Sequence, residues 1–290
     1  MKNIYTALLV AVFLLSTGFT QPDAQGYFES GVKCIKSKDY IKAIGDFTNA
    51  VSMRVNFAEA YLQRAKAKIL LGEQMGFTNS ESCADLVMAM RYNNKEAIEL
   101  IEKTCMGECY DNRSAFIEPE IVFCGDFSNK VLNDLPAETS QLTNLVKLNL
   151  FNNKLTRLSE KFGPLYTLVS LDISSNKIVE VSSEISKLSS LKELNLNKNL
   201  IKELPYEFGN MDALKFLYLR SNMLTELPKS VARLKNLETL DLSLNKLTAL
   251  PLEIANLKNL KTLNLVGNDI PKSKQAIITS LLPNTKIYFE

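Results

Sequence analysis

Residues 191–204 read LKELNLNKNLIKEL, and this order of apolar and polar residues returns every 23 residues through the second half of the chain. The leucine that opens the pattern occurs at Leu145, Leu168, Leu191, Leu214, Leu237 and Leu260. A fixed period of this length predicts a solenoid, because each unit can bury its apolar face only against the next unit. The pattern stops after Ile270, where Pro271 begins a different sequence.

The unit L-x-x-L-x-[LI]-x-x-N-x-[LI]-x-x-[LV] resembles the leucine-rich repeat family, and a degenerate extra copy starts at Val122. The resemblance implies an α/β solenoid, a horseshoe whose short parallel strands form the concave sheet. We therefore predict a leucine-rich repeat domain over residues 122–290. Its C-terminal cap, residues 271–290, should contain an amphipathic helix and a final strand, since an open end would expose an apolar layer.

One asparagine recurs in each unit. A buried carboxamide at this place can pair with backbone groups left unpaired where a strand ends. We therefore predict a structural ladder, and the alternative is a row of ligand contacts. Its members are Asn153, Asn176, Asn199, Asn222, Asn245 and Asn268.

Residues 21–105 have helical periodicity, and part of this region resembles a tetratricopeptide repeat. The residues that carry the resemblance are Tyr27, Gly31, Ala43, Phe47 and Ala50, with a looser second copy from Tyr61 and Ala65. The resemblance implies a small all-α tetratricopeptide-like domain, which either serves as a cap or docks a peptide. Some relatives grip a peptide carboxylate with polar residues, but the matching positions here are the apolar Phe28 and Val32. Residues 106–121 have no period and are predicted to be a linker.

Residues 1–20 have the features of a secretory signal peptide. Lys2 precedes an unbroken apolar run from Ala7 to Leu15, and small or polar residues follow. The run is shorter than the roughly 20 residues that a membrane-spanning helix needs. We predict cleavage and export to the periplasm or the outside of the cell, as in exported proteins of Gram-negative bacteria. An uncleaved anchor is the alternative, and no later segment is predicted to span a membrane.

Three cysteines cluster at the junction of the two halves: Cys105, Cys109 and Cys124. Export permits disulfides, so we predict that Cys124 pairs with Cys105 or Cys109. Five reduced thiols are the alternative. A structural zinc site is not expected, because the cluster has neither a C-x-x-C spacing nor a fourth ligand.

The composition argues against catalysis. The chain has no histidine and a formal net charge of +2, so histidine-based catalysis and electrostatic attraction to nucleic acid are not expected. There is also no glycine-rich phosphate loop. We predict that the protein is not an enzyme and has no cofactor, metal or nucleic-acid partner.

The outward positions of the predicted strands are mostly small and polar, with one exception. Phe216, Tyr218 and Arg220 share one face, and this is the composition of a binding hot spot. The predicted binding residues are Phe151, Asp172, Asn197, Phe216, Tyr218, Arg220 and Asp241. The alternatives are an aromatic–arginine stack that shields the sheet and carboxylates that are merely solvated.

These patterns predict a non-catalytic protein–protein interaction module or scaffold that acts outside the cytoplasm and holds its partner on the concave sheet. The alternative is a cell-envelope glycan-binding or adhesion protein that uses the same face, with the rings of Phe216 and Tyr218 as stacking platforms.

Overall fold

A computed structural model describes residues 22–76, 81–105, 109–111, 114–117, 119 and 122–290. The predicted signal peptide lies outside the described residues. The chain divides into two compact units, one ending at Asn94 and one beginning at Lys95. This division falls one helix before residue 105, where the sequence placed the end of the helical domain.

The first unit is helical, as the sequence predicted. Its helices are α1 (Ala24–Lys36), α2 (Tyr40–Met53), α3 (Ala58–Met75) and α4 (Glu81–Arg91). The carboxylates of Asp23 and Asp39 cap α1 and α2 by accepting backbone N–H groups of the first helical turn, at 2.7 and 3.2 Å. Gly76 ends α3 in the left-handed conformation that glycine adopts without strain.

A close contact between α1 and α2 explains why residue 31 is glycine. A Cβ atom on Gly31 would lie 2.6 Å from the ring of Phe47, so the ring packs directly on the backbone of α1. The Phe28 ring lies 5.8 Å from the Phe47 ring, centroid to centroid. The two helices are therefore held by aromatic packing on a helix face that has no side chain at its centre.

A buried ion-pair network joins α3 to α4. The carboxylate of Asp85 is almost fully buried, and it accepts two hydrogen bonds from the Arg64 guanidinium and contacts Lys68 Nζ at 3.0 Å. Arg64 also donates to Thr48 Oγ1 of α2 at 3.1 Å. Two cations offset the desolvation of one carboxylate, so the loss of either partner would leave a buried charge with less compensation.

The second unit begins with α5 (Lys95–Thr104) and continues as a nine-stranded parallel sheet. The strands of this sheet, in spatial order, are β1 (Tyr110–Asp111), β2 (Cys124–Asp126), β3 (Lys147–Asn149), β5 (Ser170–Asp172), β7 (Glu193–Asn195), β8 (Phe216–Tyr218), β9 (Thr239–Asp241), β10 (Thr262–Asn264) and β11 (Lys286–Tyr288). Two further strands, β4 (Arg157–Leu158) and β6 (Glu180–Val181), pair separately. The predicted parallel sheet and the helical region before it are thus confirmed.

Strand β1 lies within residues 106–121, the predicted linker. It pairs with β2 through Tyr110 and Gly125, so this part of the predicted linker belongs to the sheet. The strand has two residues, which is too short for a period-two pattern to reveal.

Register is the same from β3 to β10 because the same leucine of each unit points inward. Leu194, Leu217 and Leu240 are directly paired and fully buried. The return segments on the other side are 3₁₀ helices, at Ala137–Gln141, Glu160–Phe162, Ser183–Lys187, Tyr206–Asn210, Lys229–Arg233 and Leu252–Asn256. The last three follow prolines, which fix the chain direction where no backbone donor is needed.

The last residues cover the end of the repeat core. Ile278 lies in helix α6 (Lys272–Leu281), and Leu282 directly follows the helix. Both side chains are buried in the core of the solenoid. Strand β11 then pairs with β10, with Ile287 opposite Leu263. The final apolar layer of the repeats is thereby covered by the chain itself.

A disulfide joins Cys109 to Cys124, with the Cα atoms 4.5 Å apart. It ties the residue before β1 to the first residue of β2, at the first edge of the sheet. Cys105, the other candidate partner of Cys124, is disulfide-bonded elsewhere. Cys34 is the free thiol and is buried in the first unit.

No helix in the described part of the chain is long and apolar enough to cross a bilayer.

Candidate functional site

Each strand of the concave sheet presents three outward positions. The first and second are the first and third residues of the strand, and the third lies two residues further on. In β8 and its continuation these positions are Phe216, Tyr218 and Arg220. The surface is thus a grid in which rows are strands and columns are equivalent positions of successive units.

The asparagine ladder lies behind this grid. In a typical unit, Asn199 Nδ2 donates to the carbonyls of Ile173 and Leu196, both at 3.0 Å, and its Oδ1 accepts from Ile178 N at 3.0 Å. Equivalent bonds form at the other five positions, where all are buried except the half-buried Asn268. These side chains hold the turn together, and their amide groups are occupied by backbone.

The second column contains a further set of structural side chains that sequence analysis missed. In six strands an Asp or Asn at this position accepts the backbone N–H of the residue two places on, at 2.8 to 3.2 Å, which is an Asx turn at the strand end. These side chains are Asp126, Asn149, Asp172, Asn195, Asp241 and Asn264. The recurrence of Asp or Asn at the 23-residue spacing was the available signal.

Two of the predicted binding residues belong to this set. One oxygen of Asp172 accepts from both the backbone and the hydroxyl of Ser174, at 2.8 and 2.6 Å. Asp241 does the same with Ser243, at 2.9 and 2.6 Å. The serines are buried. Each carboxylate is therefore oriented by the scaffold, and the second oxygen of Asp172 also accepts from Asn195 Nδ2 at 3.1 Å.

Tyr218 interrupts the second column. Its rigid side chain cannot make the short local bond that Asp and Asn make to the N–H two residues on. The Arg220 N–H is held instead by Asn197 Oδ1 of the preceding unit, at 2.7 Å. Asn197, a predicted partner contact, thus takes over the structural bond that Tyr218 cannot make.

The two rings of β8 lie between carboxylates on the neighbouring strands. Phe216 is paired with Glu193 of β7, and Tyr218 is paired with Asp241 of β9. Burial raises the pKa of Tyr218 above its usual value, and the charges of Glu193 and Asp241 add to the effect. Both rings are half-buried, and Arg220 is exposed. Among the described residues, no guanidinium or ammonium group lies over either ring.

A hollow of about 190 Å³ opens beside Phe216 at the start of the strands. It is lined by Val169, Ser170, Lys192, Glu193, Lys215, Phe216 and Glu238. The carboxylate of Glu238 lies between two lysines: its Oε1 is 3.9 Å from Lys215 Nζ, and its Oε2 is 2.5 Å from Lys261 Nζ. Its hydrogen bond with Lys261, which outweighs desolvation, lowers the pKa of Glu238. Two cations at this edge of the sheet are therefore matched by a carboxylate.

The grid brings some predicted residues together and separates others. Asn197, Phe216, Tyr218, Arg220 and Asp241 lie on three adjacent strands or their continuations. Asp172 is two strands away from β8 and Phe151 is three strands away, which is roughly 14 Å at the usual strand spacing. In the described part of the chain, no group of His, Cys, Asp or Glu side chains is arranged to hold a metal ion.

A family model described as leucine rich repeat matches residues 166–224 and 218–270. This part of the chain consists of leucine-rich repeats. The matched residues include β5 to β10 and the central part of the concave grid, so the predicted binding residues from Asp172 to Asp241 lie on recognised repeats.

Several solved structures with leucine-rich repeats are similar to this chain. A leucine-rich repeat protein of Leptospira interrogans is 35% identical over 55% of this chain and 46% of its own, with a TM-score of 0.46. The leucine-rich repeat ectodomain of the Arabidopsis thaliana receptor kinase GASSHO1/SCHENGEN3 is 30% identical over 59% of this chain and 23% of its own, with a TM-score of 0.50. An internalin of Listeria monocytogenes is 19% identical over 59% of this chain and 48% of its own, also at 0.50.

This chain spans less than half the length of each of these three proteins. No curated protein matches it. The internalin likeness concerns the fold alone. Together with the plant ectodomain, it supports the leucine-rich repeat architecture.

Proposed function

We propose that this protein is a non-catalytic interaction module or scaffold that acts outside the cytoplasm and holds a protein partner on the concave sheet of its leucine-rich repeats. The observation that carries the proposal is the break in the second column at Tyr218. Every other strand of the nine-stranded sheet from β2 to β10 uses an Asp or Asn there to hold its own turn. At β8 an aromatic side chain takes the place, and Asn197 supplies the missing bond.

The surroundings of Tyr218 support a partner at this point. Phe216 and Tyr218 share one strand face, are half-buried, and are followed by the exposed Arg220. Tyrosine and arginine are enriched among residues that dominate binding energy at protein interfaces. Half-buried rings have already lost part of their freedom, so a partner that covers them gains apolar contact at a small entropic cost.

The similar plant ectodomain also supports a partner on such repeats, because its structure is a complex with CASPARIAN STRIP INTEGRITY FACTOR 2. Export is supported by the Cys109–Cys124 disulfide, since disulfides persist in oxidising compartments. The signal-like sequence of residues 1–20 agrees with export. The absence of histidine from the sequence supports a non-catalytic role.

We propose that the first unit is a tetratricopeptide-like domain that serves as a small cap or docking element. The packing of the Phe47 ring on Gly31 supports this, because both residues occupy positions that carry the sequence resemblance.

The test is affinity capture from an envelope extract of the source cells. The bait is the chain from residue 21 onward, compared with a variant in which Phe216, Tyr218 and Arg220 are replaced by alanine. A matched control replaces Tyr206, Lys229 and Leu252, which are exposed residues on the return segments. All baits must first show equal thermal stability.

A protein captured by the wild type and the control, but lost by the concave variant, is the expected result. Equal capture by all three baits would move the partner off the concave sheet. Binding of envelope oligosaccharides, but of no protein, to the wild type would favour the glycan-binding alternative.

A further inference from the structure

We propose that the partner presents an arginine or lysine side chain to a subsite formed by Glu193, Phe216, Tyr218 and Asp241. This inference rests on the proposed function and specifies the chemistry of the partner at the centre of the concave sheet. The occupant is one basic side chain on an exposed segment of a protein partner.

The geometry places two rings between two carboxylates. Strand β8 supplies Phe216 and Tyr218, β7 supplies Glu193, and β9 supplies Asp241. The two carboxylates lie on a diagonal across the rings, with their Cα atoms roughly 12 Å apart at the usual strand spacing and rise. A cation over an aromatic face is attracted by the ring quadrupole, and here it would also lie between the two carboxylates.

Both carboxylates are available for this role. Glu193 accepts a long hydrogen bond of 3.4 Å from Ser170 Oγ, and Asp241 uses one oxygen for Ser243. Among the described residues, neither carboxylate forms an ion pair. The raised pKa of Tyr218 agrees with negative charge on both sides of its side chain.

The positive charges nearest the subsite lie at its margins. Lys192 and Lys215 line the hollow at the start of the strands, and Arg220 follows the end of β8. The carboxylates at the centre and the cations at the margins together form a striped pattern. Its complement is a basic side chain with acidic neighbours, and such complementarity selects partners and fixes their register.

The substitutions Glu193→Gln and Asp241→Asn test the subsite without disturbing the scaffold. Asparagine makes the same strand-end bond at positions 149, 195 and 264, so Asp241→Asn retains the Asx turn and removes the charge. Asp126→Asn is the matched control, because it is the same change at the same position of β2, which lies four places from β8.

The probe is a phage-displayed library of short random peptides, selected on the full chain. We expect the retained peptides to be enriched in arginine or lysine. Their affinity should fall about tenfold or more in the Glu193→Gln, Asp241→Asn double variant and change less than about twofold in Asp126→Asn. The loss should shrink at high salt, because screening weakens the charged contacts in the wild type.

The remaining outcomes separate this inference from the proposed function. Peptides that lose binding in a Phe216→Ala, Tyr218→Ala variant, but bind the double variant as well as the wild type, would overturn the basic subsite and leave the concave interface intact. Peptides that bind all variants equally, or no retained peptides at all, would overturn both.

Discussion

The side-chain oxygen of Asn197 accepts the backbone N–H of Arg220, one repeat further along, at 2.7 Å. In the neighbouring units the equivalent N–H is held by a side chain of the same unit, such as Asn195 or Asp241. A bond within a repeat has thus been replaced by a bond between repeats, at the strand where a tyrosine occupies the second column.

This replacement predicts coupling between Asn197 and Tyr218. Asn197→Ala should lower the free energy of unfolding by about 1 kcal/mol, the usual net value of a hydrogen bond. In a Tyr218→Asn background the introduced amide can hold the Arg220 N–H itself, so the same substitution should have a smaller effect. A double-mutant cycle by urea denaturation measures this, and additive effects would contradict the compensating role of Asn197.

The ladder asparagines should be far more sensitive than exposed asparagines. Asn199→Ala leaves the buried Ile178 N–H without its partner, and it removes one of the two side-chain hydrogen bonds that the carbonyls of Ile173 and Leu196 each accept. We expect a loss of about 1–3 kcal/mol in urea denaturation. Asn259→Ala is the control, because this exposed side chain makes one bond, to the Lys235 carbonyl. Equal losses at both positions would argue against the structural role of the ladder.

Two glycines at equivalent positions, two units apart, should respond differently to a methyl group. A Cβ on Gly209 would overlap the Ser230 carbonyl oxygen, whereas the nearest atom to a Cβ on Gly163 is the end of the Glu184 side chain, at 3.2 Å. Gly209→Ala should therefore destabilise the protein by about 1–3 kcal/mol through overpacking. Gly163→Ala should cost much less, because the Glu184 side chain can move. Thermal unfolding of the two variants tests the difference, and an equally stable Gly209→Ala would show that the return segments can separate.

The Cys109–Cys124 disulfide should stabilise the first edge of the sheet. It closes a loop with a sequence separation of 15, for which chain entropy predicts about 3 kcal/mol. The Cys109→Ser, Cys124→Ser double variant should therefore unfold at a lower urea concentration than the wild type. Cys34→Ser is the control, since Cys34 is a free thiol. An unchanged urea midpoint in the double variant would mean that the Cys109–Cys124 disulfide does not stabilise this edge of the sheet.

The phenol of Tyr218 should ionise above the usual tyrosine pKa of about 10, because burial and the carboxylates of Glu193 and Asp241 favour its neutral form. The difference in ultraviolet titration between the wild type and Tyr218→Phe isolates this group. Glu193→Gln should lower the midpoint in part, since burial remains.

The same shift has a consequence for stability. Because the pKa of Tyr218 is higher in the folded state than in the unfolded state, its neutral phenol contributes stability that is fully present below about pH 10. This contribution is lost as the pH rises through the folded-state pKa. The wild type should therefore lose more stability than Tyr218→Phe above about pH 10. Parallel stability curves for the two proteins would contradict the shift.

The repeated part of the fold could be predicted from sequence because burial recurs with the period. Leu194 and Leu217 occupy the same position of two successive units and both point inward, so the pattern of one unit predicts the pattern of the others. The strand-end bonds were missed because an Asp or Asn at an outward position, such as Asp172, is also what a solvated surface contains. The role of Asn197 needed the geometry, since its bond to the Arg220 N–H joins two units and has no signal within one unit.

The helical unit shows a second limit of prediction from sequence. Arg64 and Asp85 are 21 residues apart, and nothing in their spacing indicates that they meet in a buried network. Charged residues on a helix are usually solvated, so the sequence favours that interpretation. Only the packing of α3 against α4 shows that this carboxylate is enclosed.

The division between the columns also bears on how such a surface can change over evolution. The first outward position of a strand carries none of the strand-end bonds. It is occupied by Phe216 in β8, by Glu193 and Thr239 in the adjacent strands, and by Ser170 in β5. A single codon change there can give the surface a new specificity without a second, compensating mutation. A change at the second position, as at Tyr218, requires a compensating hydrogen bond from an adjacent repeat, so substitutions in that column should arise together with a second substitution in the neighbouring unit.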